Sequence, residues 1–165
     1  MRPGGDGDAA SSSASKRRRR PEPSPTQRAL SLLTRREHSR LELARKLIVR
    51  GVDANEADAL IDKLADAGWQ NDSRFAESLV RSRASTGYGP RYIEAELATH
   101  GLSSDAIAAA MDSFEDDWNE VAADLLRRRH PQALTDDRNA HRKAADFLLR
   151  RGFSMEQVRF AINAG

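Results

Sequence analysis

The sequence predicts an all-α fold: three tandem three-helix repeats that form an elongated, curved helical solenoid. Of its 165 residues, 32% are charged and only 5% are aromatic. With many Ala, Leu and Arg residues, this composition is typical of helical proteins with modest cores and disfavours a β-rich fold. Apolar residues recur at helical spacing, as in Leu43, Leu47 and Ile48. The strongest indication of the fold is an internal repeat.

Three glycines mark this repeat. Gly51, Gly101 and Gly152 lie 50 and 51 residues apart, and each has a leucine four residues before it, an apolar residue directly after it, and Asp or Ser next. A trihelical unit of about 50 residues buries little surface alone, so neighbouring units should share an interface. We therefore divide the chain into repeat 1 (26–69), repeat 2 (70–118) and repeat 3 (119–165).

Local signals place the helix ends. Each glycine should stop a helix at positive φ, and the following Asp or Ser should cap the next helix. Capping-box spacing occurs at Ser39, Asp53 and Ser154, each with Glu or Gln three residues later, and Gly89-Pro90 suits a helix start. The predicted helices span residues 26–37, 40–50, 54–67, 73–86, 90–100, 104–115, 117–129, 137–151 and 155–163.

Two tryptophans fall where repeats should meet. Trp69 follows Gly68, and Trp118 lies between the second and third repeats. We interpret both as packing residues.

Residues 1–25 are predicted to be a disordered basic tail. Gly, Ala, Ser and Pro surround the basic run 16–20, and no periodic apolar residues offset the entropy of ordering. The tail carries a net charge of +3 and the remainder −1. The run suits an electrostatic clamp on nucleic acid or, in a eukaryote, a nuclear localisation signal. A solvated tail with weak polyanion affinity is the favoured interpretation.

Composition also excludes several classes of protein. The chain has no cysteine, so it has no disulfide, thiolate metal site or cysteine nucleophile. No apolar stretch approaches the roughly 18 to 20 residues that span a bilayer, and no apolar region follows the N-terminal basic run. We expect a soluble, unsecreted, cytoplasmic protein without membrane contact.

No catalytic constellation is evident. The histidines are scattered, without an HExxH motif, and Asp58, Asp62 and Asp66 form what is ordinarily a solvated helix face. The segment 87–90, Gly-Tyr-Gly-Pro, follows no strand and precedes no Gly-Lys-Ser/Thr, so it is interpreted as a tight turn and not a phosphate loop. We expect no enzyme activity, no cofactor and no metal.

The repeats imitate a helix-turn-helix motif, but their second helices are poor readers of bases. Direct readout needs Arg, Asn or Gln on the exposed face, whereas this chain has residues such as Glu56, Ala59, Asp105 and Ala106 there. Sequence-specific DNA binding is therefore disfavoured.

Charge is unevenly distributed among the repeats, with net charges of +1, −5 and +3 for repeats 1, 2 and 3. The nine cations of repeat 3 suggest a surface for phosphates or for an acidic protein face. A solvated helix surface explains them equally well, because Asp146 is four residues from both Arg142 and Arg150. The cations are Arg127, Arg128, Arg129, Arg138, Arg142, Lys143, Arg150, Arg151 and Arg159.

The chain resembles the RecX family from about residue 28 onward. The resemblance rests on three segments in order and spacing: Asp-Ser-Arg-Phe-Ala at 72–76 followed by Arg81, Gly-Tyr-Gly-Pro-Arg at 87–91 with Ile93, Glu96 and Leu97, and Leu-Leu-Arg-Arg-Gly-Phe at 148–153. The tail lies outside the family pattern.

The resemblance implies trihelical repeats, no enzymatic activity, and binding in the groove of the RecA–DNA filament, with inhibition of its ATPase, strand-exchange and coprotease activities. We expect a monomer that binds RecA protein, with DNA contacts through basic residues. Direct DNA or RNA binding and a helical adaptor with another protein partner are the alternatives. The candidate partner-binding residues are Arg81, Tyr88, Arg91, Arg127, Arg128, Arg138, Arg142, Lys143, Arg150 and Arg151.

Overall fold

A computed structural model describes residues 20–164, and within this range the chain folds into nine α-helices and a short 3-10 turn, with no strand. The predicted all-α fold of three-helix repeats is confirmed. The helices are α1 (Pro25–Leu33), α2 (Arg40–Val49), α3 (Ala54–Asp66), α4 (Asp72–Ser85), α5 (Pro90–Thr99), α6 (Ser104–Asp112), α7 (Trp118–Arg129), α8 (Arg138–Arg150) and α9 (Met155–Asn163).

Most of the tail predicted to be disordered, residues 1–19, lies outside the described residues. Helix α1 begins at Pro25, and its N-cap is Ser24, which forms a capping box with Gln27 that the sequence analysis did not identify. The first helix therefore starts one residue before the predicted boundary.

The predicted helix starts are accurate, but two helices end early. Helices α1 and α6 stop four and three residues before their predicted ends. The hydroxyl of Thr34 donates to the carbonyl of Ser31 (3.0 Å), and that of Ser113 donates to the carbonyl of Ala110 (2.6 Å). Such side-chain bonds to backbone carbonyls compete with continuation of the helix. The 3-10 turn at Pro131–Leu134 was not predicted.

The glycine and capping pattern behaves as predicted. Gly51, Gly101 and Gly152 have φ values of 90°, 72° and 93°. Two residues after each of them, Asp53, Ser103 and Ser154 accept backbone hydrogen bonds at the starts of α3, α6 and α9.

Each repeat has its own hydrophobic core. Leu43, Leu47 and Ile61 are fully buried in repeat 1, Ile93 and Leu97 in repeat 2, and Leu126, Leu148 and Phe153 at most 1% exposed in repeat 3. The three clusters are separate, so the joins between repeats rest on a small number of specific contacts.

The two tryptophans differ. Trp118 is partly buried, stacks on Phe114 at 4.3 Å, and packs against the cores of both repeat 2 and repeat 3, as the packing interpretation requires. Trp69 is 51% exposed, so its interpretation as a packing residue is corrected. Trp69 lies past the end of α3, directly after Gly68 with φ 79°, and its indole lies at the surface.

Candidate partner-binding surface and the junctions that shape it

The middle helices of the three repeats, α2, α5 and α8, meet end to end. His100, which ends α5, contacts Ser39, the N-cap of α2, and Arg151, which ends α8, contacts Gly89, the N-cap of α5. We call these two places the first junction and the second junction. At the free end of this series, Arg28 donates to the carbonyl of Arg50 (2.9 Å) and so caps the C-terminus of α2.

The first junction is built from side chains. The hydroxyl of Ser39 lies 2.7 Å from Nδ1 of His100, whose ring packs on Phe75 with a centroid separation of 4.6 Å. The backbone N–H of Arg40 donates to the Asp72 carboxylate (2.9 Å), which also accepts from the amide of Gln70 (3.0 Å). One backbone N–H at the N-terminus of α2, that of Arg40, is thus satisfied by a side chain of repeat 2, while the hydroxyl of Ser39 caps the helix at the Glu42 N–H.

The first junction also holds the buried polar side chains of the part of the chain that the structure describes: His38, Ser39 and Gln70. His38 is 2% exposed, and its Nδ1 donates to the carbonyl of Arg36 (3.0 Å). Burial lowers the pKa of His38 below its ordinary value of 6.5, because the charged imidazolium is poorly solvated there. Burial at this site therefore favours the neutral imidazole of His38.

A cleft of about 350 Å³ opens beside the first junction, with Phe75 among its lining residues. An ion pair lies on each side of it. Arg83 donates twice to Glu96, both at 2.7 Å, and these hydrogen bonds lower the pKa of Glu96.

On the other side of the cleft, Arg36 pairs with Glu42. Burial opposes ionisation of Glu42, but the hydrogen bonds and charge of Arg36, with His38 and Lys46 nearby, outweigh it and lower the pKa of Glu42. The charged side chains of these two pairs therefore neutralise one another at the cleft.

The second junction is built from backbone. The N–H of Gly89 donates to the carbonyl of Arg151 (2.7 Å), and the N–H of Arg91 donates to the carbonyl of Gly152 (3.0 Å). A Cβ placed on Gly89 would lie 2.6 Å from the carbonyl carbon of Gly152. Only glycine allows two helix ends to approach this closely.

Aromatic rings and one guanidinium cover this backbone contact. The guanidinium of Arg151 lies 4.7 Å from the centroid of Tyr88 and 5.3 Å from that of Phe147, and it donates to the carbonyl of Thr86 (3.4 Å). Tyr88 in turn stacks on Tyr92 at 4.2 Å. Stacked guanidinium and ring contacts of this kind stabilise the contact beyond simple burial.

The ten predicted site residues fall in three places. The exposed face of α8 carries Arg138, Arg142, Lys143 and Arg150. The second junction contains Tyr88, Arg91 and Arg151. The surface of α4 and α7 carries the rest: Arg81 and Arg128 line a hollow of about 340 Å³, and Arg127 pairs with Glu120 (3.6 Å) and Asp124 (3.1 Å). Their contacts with a partner stay a prediction.

Repeat 3 differs from repeat 1 in how its cations are paired. Of its nine cations, only Arg127 has a carboxylate within 4.0 Å among the described residues. In repeat 1, Arg28, Arg36, Arg40 and Lys46 all pair with acids. The α8 face therefore presents positive charge that is largely uncompensated by direct ion pairs.

Sequence reasoning missed the residues of the first junction. His100, Gln70 and Asp72 were not singled out as joining the repeats, although Asp72 belongs to a segment that carried the family resemblance. The available signal was the start of α2, where Ser39-Arg40 occupies the position in repeat 1 that Gly89-Pro90 occupies in repeat 2. The backbone N–H of Arg40 needs a hydrogen-bond acceptor, whereas Pro90 has no N–H.

Two negative findings apply to residues 20–164. Within them, no group of three or more potential metal ligands comes together, and every helix is too short or too polar to cross a bilayer.

The fold and its surface define a tandem three-helix-repeat protein with a basic terminal repeat. Family models for the first, second and third three-helix domains of RecX match residues 26–64, 71–111 and 115–162. The chain belongs to the RecX family.

Individual relatives agree with this assignment. "Regulatory protein RecX" of Stenotrophomonas maltophilia (strain K279a) is 61% identical over 82% of this chain and 83% of its own length. That of Xanthomonas axonopodis pv. citri (strain 306) is 56% identical with the same coverage. The crystal structure of RecX from Lactobacillus salivarius matches with a TM-score of 0.68 and 27% identity, covering 85% of this chain and 93% of that one. The Stenotrophomonas and Xanthomonas relatives carry the name of regulatory proteins.

Proposed function

We propose that this protein is a cytoplasmic negative regulator of RecA that binds the RecA–DNA filament and inhibits its ATPase, strand-exchange and coprotease activities. Membership of the RecX family is the observation that carries the proposal. A three-repeat array with no broad shared core is suited to lie along another surface, because its contacts are distributed over several units.

The α8 face supports this proposal in electrostatic terms. Arg138, Arg142, Lys143 and Arg150 are exposed and have no carboxylate within 4.0 Å in the described part of the chain. A filament that carries DNA phosphates or an acidic protein face would be attracted to such a surface. Repeat 3 is therefore the region that we assign to the partner.

The direct test is inhibition of cognate RecA. Purified protein should inhibit DNA-dependent ATP hydrolysis by RecA and bind RecA-coated single-stranded DNA more tightly than naked DNA. ATPase rates and filament pull-down, measured at one fixed salt concentration, check this. RecA activity that is unaffected by saturating protein would contradict the proposal.

A charge-reversal variant tests the assignment of the α8 face. Changing Arg138, Arg142 and Arg150 to Glu should weaken filament binding at least tenfold, because three favourable charges become repulsive. The matched control reverses Arg35, Arg45 and Lys63, which are exposed cations of repeat 1. The control should change binding less than threefold. Equal losses in both variants would show a nonspecific charge effect.

Direct DNA or RNA binding is the second candidate function, favoured by the same uncompensated cations. In that case the protein binds naked nucleic acid tightly with strong salt dependence and leaves RecA untouched at saturation. The binding and ATPase measurements therefore decide between the two functions.

A further inference from the structure

The position of Arg151 differs from that of the other cations of repeat 3. Its guanidinium lies against Tyr88 and Phe147 and donates to the carbonyl of Thr86, while its own carbonyl accepts from Gly89. Arg151 is partly buried, whereas the other eight cations of repeat 3 are exposed. Among those eight, Arg127 forms ion pairs with carboxylates. Its side chain is thus used inside the protein.

These contacts hold one turn against one helix end. The turn 86–89 connects α4 to α5. The Arg151 side chain contacts this turn, and the backbone of Gly89 packs directly against that of Gly152. The contact leaves no room for a side chain at Gly89, and a Cβ on Gly152 would lie 2.5 Å from the backbone nitrogen of Tyr92. The direction of α5 relative to α8 is therefore set by backbone geometry with little freedom.

We infer that Arg151 is a positioning residue of the partner-binding surface: with Tyr88, Gly89 and Gly152 it forms a latch that fixes α5 against α8. The latch brings two exposed cations, Arg91 and Arg150, to the same junction, since the Arg91 N–H bonds to Gly152 and Arg150 immediately precedes Arg151. Repeats 2 and 3 then act on the partner as one rigid surface. This inference rests on the proposed function for its effect on RecA, but the latch itself is testable in the free protein.

The first test opens the latch without removing a charge. In Gly89→Ala the new methyl group collides with the Gly152 backbone. Because the chain has no cysteine, probes can be attached to single cysteines placed at the exposed positions Ala95 on α5 and Asn163 on α9. The inter-probe distance, measured by double electron–electron resonance, should shift or broaden in Gly89→Ala, and filament inhibition should weaken at least fivefold. An unchanged distance distribution would overturn the latch.

The second test separates positioning from direct contact. Arg151→Lys keeps the charge but loses the planar stack and its fork of donors. A latch predicts that Arg151→Lys recovers less than half of the binding lost in Arg151→Ala, and that Tyr88→Leu combined with Arg151→Ala is no worse than either alone. Arg45→Ala, at an exposed cation of repeat 1 outside the region assigned to the partner, should change binding less than twofold.

The outcomes keep the two proposals apart. If the parent protein does not inhibit RecA, the proposed function fails, and the distance measurement still decides whether the latch exists. If the parent inhibits RecA and Gly89→Ala inhibits equally well with a shifted distance, the positioning role is wrong and the proposed function stands. Full binding by Arg151→Lys would assign Arg151 to the contact surface instead. Melting curves and circular dichroism establish that each variant is folded.

Discussion

The two junctions occupy equivalent positions in the repeat but use different chemistry. At both, the C-terminal end of the middle helix of one repeat meets the N-terminal end of the middle helix of the preceding repeat. The second junction bonds backbone to backbone at 2.7 and 3.0 Å, whereas at the first the His100 ring and the Asp72 carboxylate contact the start of α2. The same architecture therefore yields one tightly docked joint and one that depends on polar side chains.

Two residues account for the difference. Where repeat 2 has Gly89 and Pro90, repeat 1 has Ser39 and Arg40. Glycine lets the carbonyls of the next repeat approach the helix start, and proline has no N–H that needs an acceptor. Serine excludes that approach but caps the helix itself, and the Arg40 N–H is satisfied by Asp72. A dipeptide change thus converts backbone docking into a side-chain network.

The largest expected effect comes from Gly152. Gly152→Ala should destabilise the protein by about 3 kcal/mol or more, because an alanine at φ 93° is strained by roughly 1 to 2 kcal/mol and its Cβ also collides with Tyr92. Urea denaturation measures the change.

Gly51→Ala is the matched control. Gly51 has φ 90°, but nothing lies within 4 Å of its Cβ position, so only the strain of about 1 to 2 kcal/mol should remain. Equal losses at the two glycines would show that the close contact at the second junction contributes nothing to stability.

The next largest losses of stability are expected from alanine substitutions at the two tryptophans. Trp118→Ala should cost about 2 to 3 kcal/mol, since the indole packs against two cores, whereas Trp69→Ala should cost about 1 kcal/mol less because half of Trp69 is exposed. Thermal unfolding followed by circular dichroism checks both values. A larger loss at Trp69 would mean that repeat 1 depends on a surface contact that its exposure conceals.

A smaller effect is expected at the first junction. Ser39→Ala should cost about 1 to 2 kcal/mol, because it removes both the cap of α2 and the partner of His100. Ser103→Ala removes a comparable cap on α6 at an exposed position and should cost about 1 kcal/mol or less. The difference in unfolding free energy, from urea titrations, isolates the contribution of the junction. No difference would show that the Ser39–His100 contact is energetically neutral.

Most of the fold could be predicted because its determinants are local. Helix starts follow from Ser, Asp and Gly-Pro signals that act within three or four residues, and helix ends follow from the glycines. The early ends of α1 and α6 were missed because Thr34 and Ser113 look like ordinary helix residues until their hydroxyls are placed on carbonyls.

The candidate site was less predictable. Charge counting finds the exposed cations of α8, since exposure follows from helical periodicity. It cannot distinguish Arg150 from Arg151, which are neighbours in sequence but point to solvent and to Tyr88 respectively. That distinction, like the burial of His38, depends on how the repeats dock, which local sequence does not encode.

The smallest effect is a pH dependence confined to the first junction. The pKa of His38 lies below 6.5 in the folded protein, so below that pH the unfolded chain binds a proton more readily than the folded one. The stability contributed by neutral His38 is therefore fully present above pH 6.5 and is lost as the pH falls towards the folded pKa. Glu42, Arg36 and Lys46 are the charged groups that face His38.

Replacing His38 with Gln should flatten the plot of unfolding free energy against pH between about pH 5.5 and 8, a window above the titration of the carboxylates. The slope removed cannot exceed about 1.4 kcal/mol per pH unit, because one group takes up at most one proton. Ser154→Ala weakens the cap of α9 in repeat 3 without removing a titratable group or a neighbour of His38, so it should lower stability equally at every pH and keep the parent slope. If His38→Gln also keeps the parent slope, the first junction is as insensitive to pH as the backbone contacts of the second, and the contrast between them reduces to packing alone.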